Sequence, residues 1–545
     1  MKNKLFGLVS IFLILIIASF LYFYKLDKIP SGFYIDEAAS AYNAYSITET
    51  GKDEFGKSFP ILFRLFGSYS PPLFIYLCSV LIPYFGMGVS VFRSVSVVSA
   101  IISIVFFLLM TLQLKVYKHK ASYFLITFFY AITPWLVFNA RLGYEETLGY
   151  VIFNIGLYFL YLAFEKPKYF LLGLPILSLS SYASHNQKFL LPIFTVFFLL
   201  VFKKEIFRKE NFKFLFFSVV IAVLVQIPNL SIITTNAFWI KNISYTNGIP
   251  IQKTAQNIIV QFLNYYSPKS LFYFLPDIDP QHTLSEISVM YNWMVIPYFL
   301  GLFLLFKKIK EKNHKFVAVL FFVSTVPAAL SGEFISIQRA LPFLFPLMIV
   351  IGIGIDFLLI KMGKFLAPIS FLILAFYSLL MLYRSYFVLF PNDRAVAWSY
   401  GFADVADFIK KNPQENFFID NSRNLGLYME LLYFLKYPPA KYQQEVTPFI
   451  KDHYYEAPIL GTDFGFGKIR IGGIDWTKEI YKEQIIMGDS LAISDGQARE
   501  HLMTGVFQLK DPSGNIIFNG YKTNPKEKCK KELLKKNPSR YCFAH

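Results

Sequence analysis

Eleven long apolar segments constrain the fold of this chain more than any other feature of its sequence. They lie near residues 5–24, 90–114, 121–138, 148–164, 169–183, 189–202, 212–230, 291–306, 315–331, 340–360 and 366–388. An α-helix needs roughly 20 apolar residues to cross a bilayer, so the boundaries of the shorter segments are soft. The stretch 72–86 is also apolar, but it begins Pro71-Pro72 and contains Pro83 and Gly86, which favours an interfacial or re-entrant helix. We therefore predict a polytopic α-helical membrane protein with about 11 transmembrane helices.

The composition agrees with a membrane protein. Only 16% of the 545 residues are charged and 55% are hydrophobic, whereas about a quarter of a soluble domain is charged. The net charge of +17 would suggest nucleic-acid binding in a soluble protein. Here the basic residues cluster between the apolar segments, so we interpret them as the positive charge of cytoplasmic loops and predict no nucleic-acid partner.

The basic clusters also predict an orientation. They are Lys2/Lys4, Lys115/Lys118/Lys120, Lys166/Lys168, Lys203/Lys204/Arg208/Lys209/Lys213, Lys307/Lys308/Lys310/Lys312/Lys315 and Lys361/Lys364. All of them fall on one side if the N-terminus is cytoplasmic, if the first segment is a retained helix rather than a signal peptide, and if eleven spans alternate. This predicts a multi-pass plasma-membrane protein whose loops 25–89 and 231–290, and everything after about residue 389, are extracytoplasmic.

The tail differs in composition from the rest of the chain. Residues 391–545 are rich in charge, Gly and Pro, and they are long enough for one soluble α/β or α+β domain of about 150 residues. The expected domains are thus 1–390 in the membrane, with loop 25–89 as the catalytic loop, and 391–545 outside. Residues Ala395–Lys411 are predicted to form an amphipathic helix. A disulfide between Cys529 and Cys542 is left open, and Cys78 is interpreted as packing.

Two adjacent acids, Asp36 and Glu37, follow the first apolar segment. A carboxylate at that place on the outer face can accept a proton from an acceptor hydroxyl. The alternative is structural: Asp36 would be the N-cap of a helix over 37–47. The pair alone does not decide between the two.

Other polar residues on the predicted outer face lie at or beside the ends of spans. Arg141 and Glu145 are four residues apart, which predicts either an i,i+4 ion pair on one helix face or an acid wall of a cavity. His185 and Lys188 are three apart and form a cationic pair suited to a phosphate; the alternative for Lys188 is interfacial snorkelling. Arg339 is interpreted either as a phosphate anchor or as a charge that flanks a span on the outer side.

Several chemistries have no signal in the sequence. No phosphate-binding Gly loop, no Ser-His-Asp order, no zincin motif and no Cys/His metal spacing occurs. We therefore assign no metal-ligand residues and no cofactor. Whether the protein uses a divalent cation is left open.

The first outer loop and the ends of several spans carry a set of short motifs. They are Pro30-Ser-Gly-Phe-Tyr-Ile-Asp36-Glu37-Ala-Ala, Tyr42-Asn-Ala-Tyr45, Gly51-Lys-Asp53-Glu-Phe-Gly56, Ser70-Pro71-Pro72-Leu-Phe-Ile-Tyr76, Phe92-Arg93, Pro134-Trp135, Ala140-Arg141, Tyr182-x-x-His185-x-x-Lys188 and Gln338-Arg339-Ala. In these motifs the chain resembles family 39-type glycosyltransferases, the relatives of protein O-mannosyltransferases and of the aminoarabinose transferase of lipid A. The resemblance covers residues 1 to about 388 and leaves the tail unmatched. Many relatives carry Arg where this chain has Lys188, and some carry Asp where it has Glu145.

The resemblance implies a GT-C fold, a polyprenyl-phosphate-linked sugar donor and inverting transfer to an acceptor on the outer face. It places the general base at Asp36, with Glu37 positioning the loop or the substrate. For the rest of the site we predict donor-phosphate ligands and cavity residues: Lys188, Arg339, Arg64 and His185 for the phosphate, and Arg141, Glu145, Glu146, Asp53 and Tyr182 for the cavity. The expected partners are the donor lipid, the bilayer and a glycan, lipid or protein acceptor.

Two alternative functions remain. A polymerase or ligase would use a lipid-linked oligosaccharide, and a large outer loop with paired Arg would favour it, but loop 231–290 has no Arg. A transporter or flippase predicts mid-span charge and an internal repeat. Mid-span charge is nearly absent, Asp356 near a cytoplasmic end being the exception, and no repeat is seen. The tail aromatics Trp398, Tyr454, Tyr455 and Trp476 are interpreted as core packing rather than sugar-stacking residues.

Overall fold

A computed structural model describes residues 2–66, 68–239, 251–273, 280–331, 335–424, 426–445, 453–456, 464–534 and 539–544. Parts of the predicted outer loop 231–290, namely 240–250 and 274–279, lie outside the described residues. The chain divides into two compact units. The first unit comprises Met1–Ile29, Ile61–Phe63 and Ser68–Pro391, and the second comprises Pro30–Pro60, Arg64–Gly67 and Asn392–His545.

The helices of residues 2–393 follow the apolar pattern. They are α1 (Lys2–Phe23), α2 (Ile35–Thr50), α3 (Pro72–Phe85), α4 (Val89–Leu114), α5 (Lys120–Ala131), α6 (Pro134–Ala140), α7 (Glu145–Ala163), α8 (Phe170–Ser180), α9 (His185–Ile206), α10 (Phe212–Ser231), α11 (Ile251–Asn264), α12 (Val295–Lys307), α13 (Lys312–Val323), α14 (Val326–Ala329), α15 (Leu341–Leu382) and α16 (Phe390–Asp393). Strands β1 (Phe63–Leu65) and β2 (Ser68–Ser70) form a two-stranded sheet.

Four of the described helical stretches are long and apolar enough to cross a membrane: Val89–Leu114, Glu145–Ala163, Lys209–Ser231 and Leu341–Asp393. The pair α5 and α6, bent by 53°, brings the number to five if it is one span. Shorter apolar helices include Gly7–Phe23, Pro72–Phe85 and Asn292–Lys307. The chain thus has the apolar helices of a membrane protein, while the total of eleven spans and their orientation stay predictions.

The longest helix is interrupted where the sequence predicts a boundary between two spans. Gly363 has φ +77° inside α15, and Lys361 and Lys364 flank it. Glycine adopts this left-handed backbone without the steric cost of a Cβ atom. The helix therefore breaks within the predicted cytoplasmic turn.

Small residues bring two apolar helices of the first unit into close contact. A Cβ atom built on Gly301 of α12 would lie 1.9 Å from the carbonyl oxygen of Val350, and one on Gly354 of α15 would lie 1.9 Å from that of Pro297. Only glycine fits at these two crossings. Helices that pack in an apolar environment commonly rely on such small residues.

The bend between α5 and α6 exposes backbone carbonyls that need hydrogen-bond partners in an apolar setting. Tyr22 donates to the carbonyl of Ala131 at 2.6 Å, and Tyr291 donates to that of Ile132 at 2.6 Å. At the other end of α5, Asp356 accepts hydrogen bonds from the backbone N–H groups of Lys118 and His119, both at 2.9 Å. The charge of Asp356 in an apolar helix is thus explained by the helix start that it supports.

The second unit contains a six-stranded mixed sheet. Its elements are α17 (Phe402–Lys411), β3 (Phe417–Asp420), α18 (Leu427–Leu435), α19 (Pro439–Glu445), β4 (Phe464–Phe466), β5 (Ile469–Gly472), β6 (Ile485–Gly488), α20 (Asp495–Glu500), β7 (Thr504–Lys510), β8 (Ile516–Lys522) and α21 (Pro525–Glu532). The strand order is β4-β5-β3-β6-β8-β7. The central strand β3 is parallel to both neighbours, with Phe417 opposite Ile469 and Ile485. This confirms a helix-and-sheet unit for the tail.

The core of this unit includes side chains on which the sequence analysis made predictions. Cys529 and Cys542 form the disulfide that the sequence left open. Trp398 and Tyr454 are buried, and Trp476 packs against the hydrophobic cluster around the disulfide. Trp398 and Tyr454 are therefore core residues, as predicted, and Trp476 packs at the edge of the core. Tyr455 is only partly buried, so its interpretation as a core residue stays a prediction.

Helix α2 belongs to the second unit, although it follows the first apolar segment in sequence. The ring of Phe33, just before α2, packs 4.6 Å from that of Tyr433 in α18. The hydroxyl of Tyr42 donates to the carbonyl of Tyr437 at 3.0 Å. Residues 30–60 thus share a core with the C-terminal residues.

Candidate functional site

Asp36 and Glu37 occupy the first turn of α2. The N-cap is Tyr34, whose backbone is extended and whose side chain makes no capping hydrogen bond. The alternative in which Asp36 is the N-cap of a helix over 37–47 is therefore wrong, because the helix begins at Ile35. Asp36 is partly exposed and Glu37 is buried, and both acids are favoured by the helix dipole at this end.

Asp53 is buried in the turn after α2 and is hydrogen-bonded within the second unit. It accepts hydrogen bonds from the hydroxyl of Tyr454 at 2.6 Å and from the backbone N–H groups of Lys57 at 2.8 Å and Phe55 at 3.0 Å. Burial raises the pKa of Asp53 to about 6, although these three donors oppose the shift. This geometry favours a role in holding the loop, and substrate contact stays a prediction.

Glu54, next to it, is fully buried. Asn43 donates to its Oε1 at 3.2 Å, and no hydrogen-bond partner of Oε2 occurs among the described residues. Burial raises the pKa of Glu54 to about 8, and the nearby charge of Asp53 adds to the shift. Glu54 therefore keeps its proton to a higher pH than an exposed glutamate does, although hydrogen bonds from Asn43 and Tyr428 oppose the shift.

Arg64, a predicted phosphate ligand, is also buried in the second unit. Its backbone N–H donates to the hydroxyl of Tyr454 at 2.8 Å, and its guanidinium lies 5.5 Å from the centre of the Phe55 ring. Arg64 therefore packs within the second unit, against Tyr454 and Phe55. Its role as a phosphate ligand stays a prediction.

Arg141 does not lie where the i,i+4 argument put it. It is the C-cap residue of α6, whereas Glu145 begins α7, so the two do not share a helix face. Its guanidinium donates to the carbonyls of the chain that leaves α1: Leu21 at 2.7 Å, Tyr22 at 2.8 Å, Tyr24 at 2.7 Å, Lys25 at 3.4 Å and Ile29 at 3.1 Å. The predicted ion pair on one helix face is thus wrong, and Arg141 closes the end of α1.

Glu145 and Glu146 form the first turn of α7 and are both partly buried. Ser70 of the outer loop donates to Glu145 Oε1 at 3.3 Å. Nearby in the sequence, the carbonyl of Tyr69 accepts a hydrogen bond from His185 Nε2 at 2.8 Å. Residues 69–70 therefore bring together the starts of α7 and α9 within the first unit.

Lys188 is buried one turn into α9. Its Nζ donates to the carbonyl of Phe238 at 2.8 Å and lies 3.7 Å from the centre of the Phe238 ring. The snorkelling interpretation would put the ammonium in water, but only 8% of the residue is exposed. Lys188 is thus a buried amine with a carbonyl and a π face as partners, and burial lowers its pKa to about 7.

Arg339 follows the short turn before α15. Its Nη1 lies 3.5 Å from the carbonyl of Ser331, and its side chain is partly exposed. The side chain of Asn186 donates to the carbonyl of Gln338 at 3.4 Å. The start of α9 and the turn at Arg339 are therefore neighbours, so the structure brings Lys188 and Arg339 to one end of the first unit.

Tyr182 lies in the turn between α8 and α9, and its hydroxyl is inserted into helix α10. It donates to the carbonyl of Val225 at 2.7 Å and accepts from the N–H of Asn229 at 3.2 Å. Those two groups are four residues apart and would bond each other in a regular helix. The hydroxyl thus supports α10 near Pro228, and a substrate contact of Tyr182 stays a prediction.

Two side-chain amides, those of Gln187 and Gln338, lie beside predicted phosphate ligands but were not among the predicted site residues. Gln187 precedes Lys188 and Gln338 precedes Arg339. The side chain of Gln187 is buried, and neither its Oε1 nor its Nε2 has a hydrogen-bond partner in the described part of the chain. The sequence does contain one indication of these residues, because each glutamine directly precedes a predicted phosphate ligand.

A metal centre is not evident from side-chain grouping. Within the described ranges, no group of three or more His, Cys, Asp or Glu residues is arranged to hold a metal ion.

Comparison with known proteins establishes the fold. No protein-family model and no curated protein matches the sequence. ArnT from Cupriavidus metallidurans in the apo state aligns with a TM-score of 0.57 at 11% identity, over 95% of this chain and 98% of that chain. The structure of ArnT from the same organism bound to undecaprenyl phosphate aligns with a TM-score of 0.56 at 12% identity, over 94% and 98%.

A second type of protein has a similar structure. The archaeal oligosaccharyltransferase AglB from Archaeoglobus fulgidus, in complex with an inhibitory peptide and a dolichol-phosphate, aligns with a TM-score of 0.53 at 12% identity, over 99% of this chain and 77% of that chain. At these identities the likeness concerns the fold. The chain has the GT-C fold, which confirms the fold that the resemblance of the outer loop implied.

Proposed function

We propose that this protein is a membrane glycosyltransferase that moves a sugar from a polyprenyl-phosphate donor to an acceptor hydroxyl on the outer face of the plasma membrane. The observation that carries the proposal is the nearly full-length likeness to ArnT, one structure of which holds undecaprenyl phosphate. Within the first unit, the buried Lys188 and the neighbouring turn at Arg339 support binding of a lipid phosphate. The acceptor would be a glycan, a lipid or a protein.

The donor phosphate would bind at the start of α9 and the neighbouring turn. Lys188 and Arg339 supply positive charge there, and Asn186 links their two segments. His185 and Arg64 are further proposed phosphate ligands. Cations that offset the growing charge on the departing phosphate lower the barrier to transfer.

Asp36 would act as general base. The acceptor oxygen forms a bond to C1 of the sugar on the face opposite the phosphate, and the bond between C1 and the phosphate oxygen breaks. The polyprenyl phosphate leaves with the electron pair of that bond, and the hydroxyl proton passes to the Asp36 carboxylate. The configuration at C1 is inverted, and Glu37 positions the loop or the substrate.

The variant Asp36→Asn tests this role. General-base catalysis typically contributes about 10²–10⁴ in rate, so kcat should fall by at least about 10² while membrane insertion and thermal stability are unchanged. The matched control is Glu49→Gln, an exposed acid at the other end of the same helix. Near-normal turnover of the Asp36→Asn protein would remove Asp36 from the role.

The activity itself needs a test that does not assume the sugar. Membranes that contain the protein should transfer label from one of a panel of polyprenyl-phosphate sugars, and mass spectrometry of surface glycans should show a loss in a deletion strain. An unchanged glycome and lipidome would count against an enzyme of this type.

Transfer of a lipid-linked oligosaccharide is the second candidate, because AglB shares the fold over 99% of this chain. The mass added to the acceptor separates the two candidates. One sugar residue supports the first proposal, and an intact oligosaccharide supports the second.

A further inference from the structure

We infer that the side-chain amide of Gln187, together with that of Gln338, binds hydroxyl groups of the donor sugar. This inference rests on the proposed function, and it adds two sugar-binding side chains to the proposed phosphate site. The sugar class it implies is a monosaccharide with free hydroxyls at the positions that face α9.

The main observation is the state of Gln187. Only 1% of the residue is exposed, yet both polar atoms of its amide lack a partner among the described residues. A buried amide without hydrogen bonds destabilises the folded state, because neither of its polar atoms regains the hydrogen bonds that it made with water. Such a cost is uncommon in folded proteins unless the group has a ligand or another role.

The surroundings of Gln187 place it among first-unit residues of the proposed donor-phosphate site. Its Oε1 lies 2.7 Å from where a Cβ atom on Gly149 would be, so the amide rests directly on α7 at a glycine. Gly149 is one helical turn after Glu145, on the same face of α7. Any larger residue at position 149 would push against Gln187 and against Ser184, whose Cβ would be 2.6 Å away.

The neighbouring turn repeats the pattern. The Nε2 atom of Gln338 is buried and has no partner in the part of the chain that the structure describes. Asn186 donates to the backbone carbonyl of the same residue. Two amides with unused hydrogen-bonding groups therefore come from the two segments that carry Lys188 and Arg339.

The hydrogen-bonding groups of the Gln187 amide indicate which kind of ligand it can bind. An amide offers a donor and an acceptor, and a sugar hydroxyl also both donates and accepts. A phosphate only accepts, so it would leave Oε1 of Gln187 unsatisfied. Sites built to hydrogen-bond a hydroxyl discriminate strongly against substrates that lack it, because the buried polar group is then left unpaired.

The test uses Gln187→Leu in the full-length protein, with donors that lack one hydroxyl at a time. We expect kcat/KM to fall about tenfold or more with the complete donor, and to fall much less with the monodeoxy donor that lacks the hydroxyl read by Gln187. We also expect the melting temperature to stay the same or rise, because the variant removes an unpaired buried amide.

The matched control is Gln226→Leu. Gln226 of α10 is fully paired: its Nε2 donates to Ser178 and Ser181, and its Oε1 accepts from Asn229. This variant should lower the melting temperature and leave the ranking of the deoxy donors unchanged. A Gln187→Leu protein that loses stability and keeps the wild-type donor ranking would overturn the inference and make Gln187 a structural residue.

A binding measurement separates this inference from the proposed function. Polyprenyl phosphate and a polyprenyl-phosphate sugar are titrated into the detergent-purified wild type. Stronger binding of the sugar-bearing lipid that disappears in Gln187→Leu supports the inference. Equal binding of both lipids overturns the inference alone, and binding of neither overturns the proposed function with it.

Discussion

Two groups of buried polar side chains in the first unit contrast in how their hydrogen bonds are satisfied. One, the α1-end cluster, consists of Arg141 and Arg93 with the carbonyls of residues 21–29. Arg141 reaches five of these carbonyls and Arg93 donates to Leu26 at 3.0 Å. The other, the α9-start group, consists of Gln187 and Lys188. There Gln187 has no partner among the described residues, and Lys188 has a carbonyl and aromatic rings.

This contrast separates polar residues that serve the fold from polar residues that can bind a ligand. A buried polar group without a hydrogen bond is costly. Both Nη atoms of Arg141 are hydrogen-bonded and only its Nε has no partner among the described residues, whereas neither polar atom of the Gln187 amide has one. A ligand bound beside Gln187 would supply the missing hydrogen bonds. The α1-end cluster should therefore control stability, and the α9-start group should control substrate binding.

The largest effect is expected for Arg141→Ala. It leaves several buried carbonyls without donors and should destabilise the protein by at least about 3 kcal/mol, since truncating one partner of a buried charged network typically costs that much. Thermal unfolding of the detergent-purified full chain measures it. Arg141→Lys should recover part of the loss. A protein with normal stability but no transfer would instead make Arg141 a cavity residue, as the sequence analysis predicted.

Lys188→Met should have the opposite profile. The variant loses one hydrogen bond to the Phe238 carbonyl but also removes an amine that is costly to bury, so stability should change much less than in Arg141→Ala. The affinity for polyprenyl phosphate should fall about 100-fold, or about 2.7 kcal/mol. Lys204→Met, with an exposed cation near the other end of α9, is the matched control and should bind normally. If Lys188→Met binds the lipid as well as the wild type does, the contrast between the two groups breaks down.

Glu54→Gln tests a buried, incompletely paired polar group in the second unit. The pKa of Glu54 is raised from 4.5 to about 8 in the folded protein. Between those values the folded state holds a proton that the unfolded state has lost, so stability falls as pH rises from about 4.5 to about 8. The variant removes this penalty, and we expect it to be more stable than the wild type by about 2 kcal/mol at pH 6 and equally stable below pH 4.5.

Melting temperatures of both proteins across this pH range measure the effect of Glu54→Gln. The variant curve should be flatter than that of the wild type. Parallel curves at all pH values would mean that Glu54 is ionised in the folded protein, and that the buried carboxyl is paired more fully than the described contacts show.

Local pattern predicted much of the fold and part of the site. The apolar segments became helices, and the break at Gly363 fell between Lys361 and Lys364. Asp36 and Glu37 did lie at a helix start, because acids are favoured there. Residue spacing fails where the chain turns: Arg141 and Glu145 are four apart, but a break separates their helices, so the expected shared face does not exist.

Long-range contacts could not be read from the sequence. The carbonyl partners of Arg141 lie 112 to 120 residues away, and Tyr42 contacts Tyr437 at a separation of 395 residues. Nothing local indicates either pairing, nor that residues 30–60 share a core with the C-terminal residues. Gln187 was missed for a different reason: an uncharged side chain is conspicuous only when its burial and lack of partners are known.

The smallest effect is expected for Tyr182→Phe. Tyr182 belongs with the satisfied residues, because its hydroxyl bridges Val225 and Asn229 in α10. Loss of one hydroxyl with two hydrogen bonds should cost about 1–2 kcal/mol in stability. Melting of the purified variant checks this, with Tyr158→Phe as a control at a partly buried tyrosine of α7.

The outcome for Tyr182 bears on the contrast because the sequence analysis assigned this residue to the substrate cavity. A loss of stability with unchanged kcat/KM would put it with the α1-end cluster, where satisfied hydrogen bonds serve the fold. Unchanged stability with a changed KM for the donor would put it with the α9-start group. In the second case a paired hydroxyl would be exchanging its helix partners for substrate, and hydrogen-bond satisfaction alone would not distinguish the two kinds of residue.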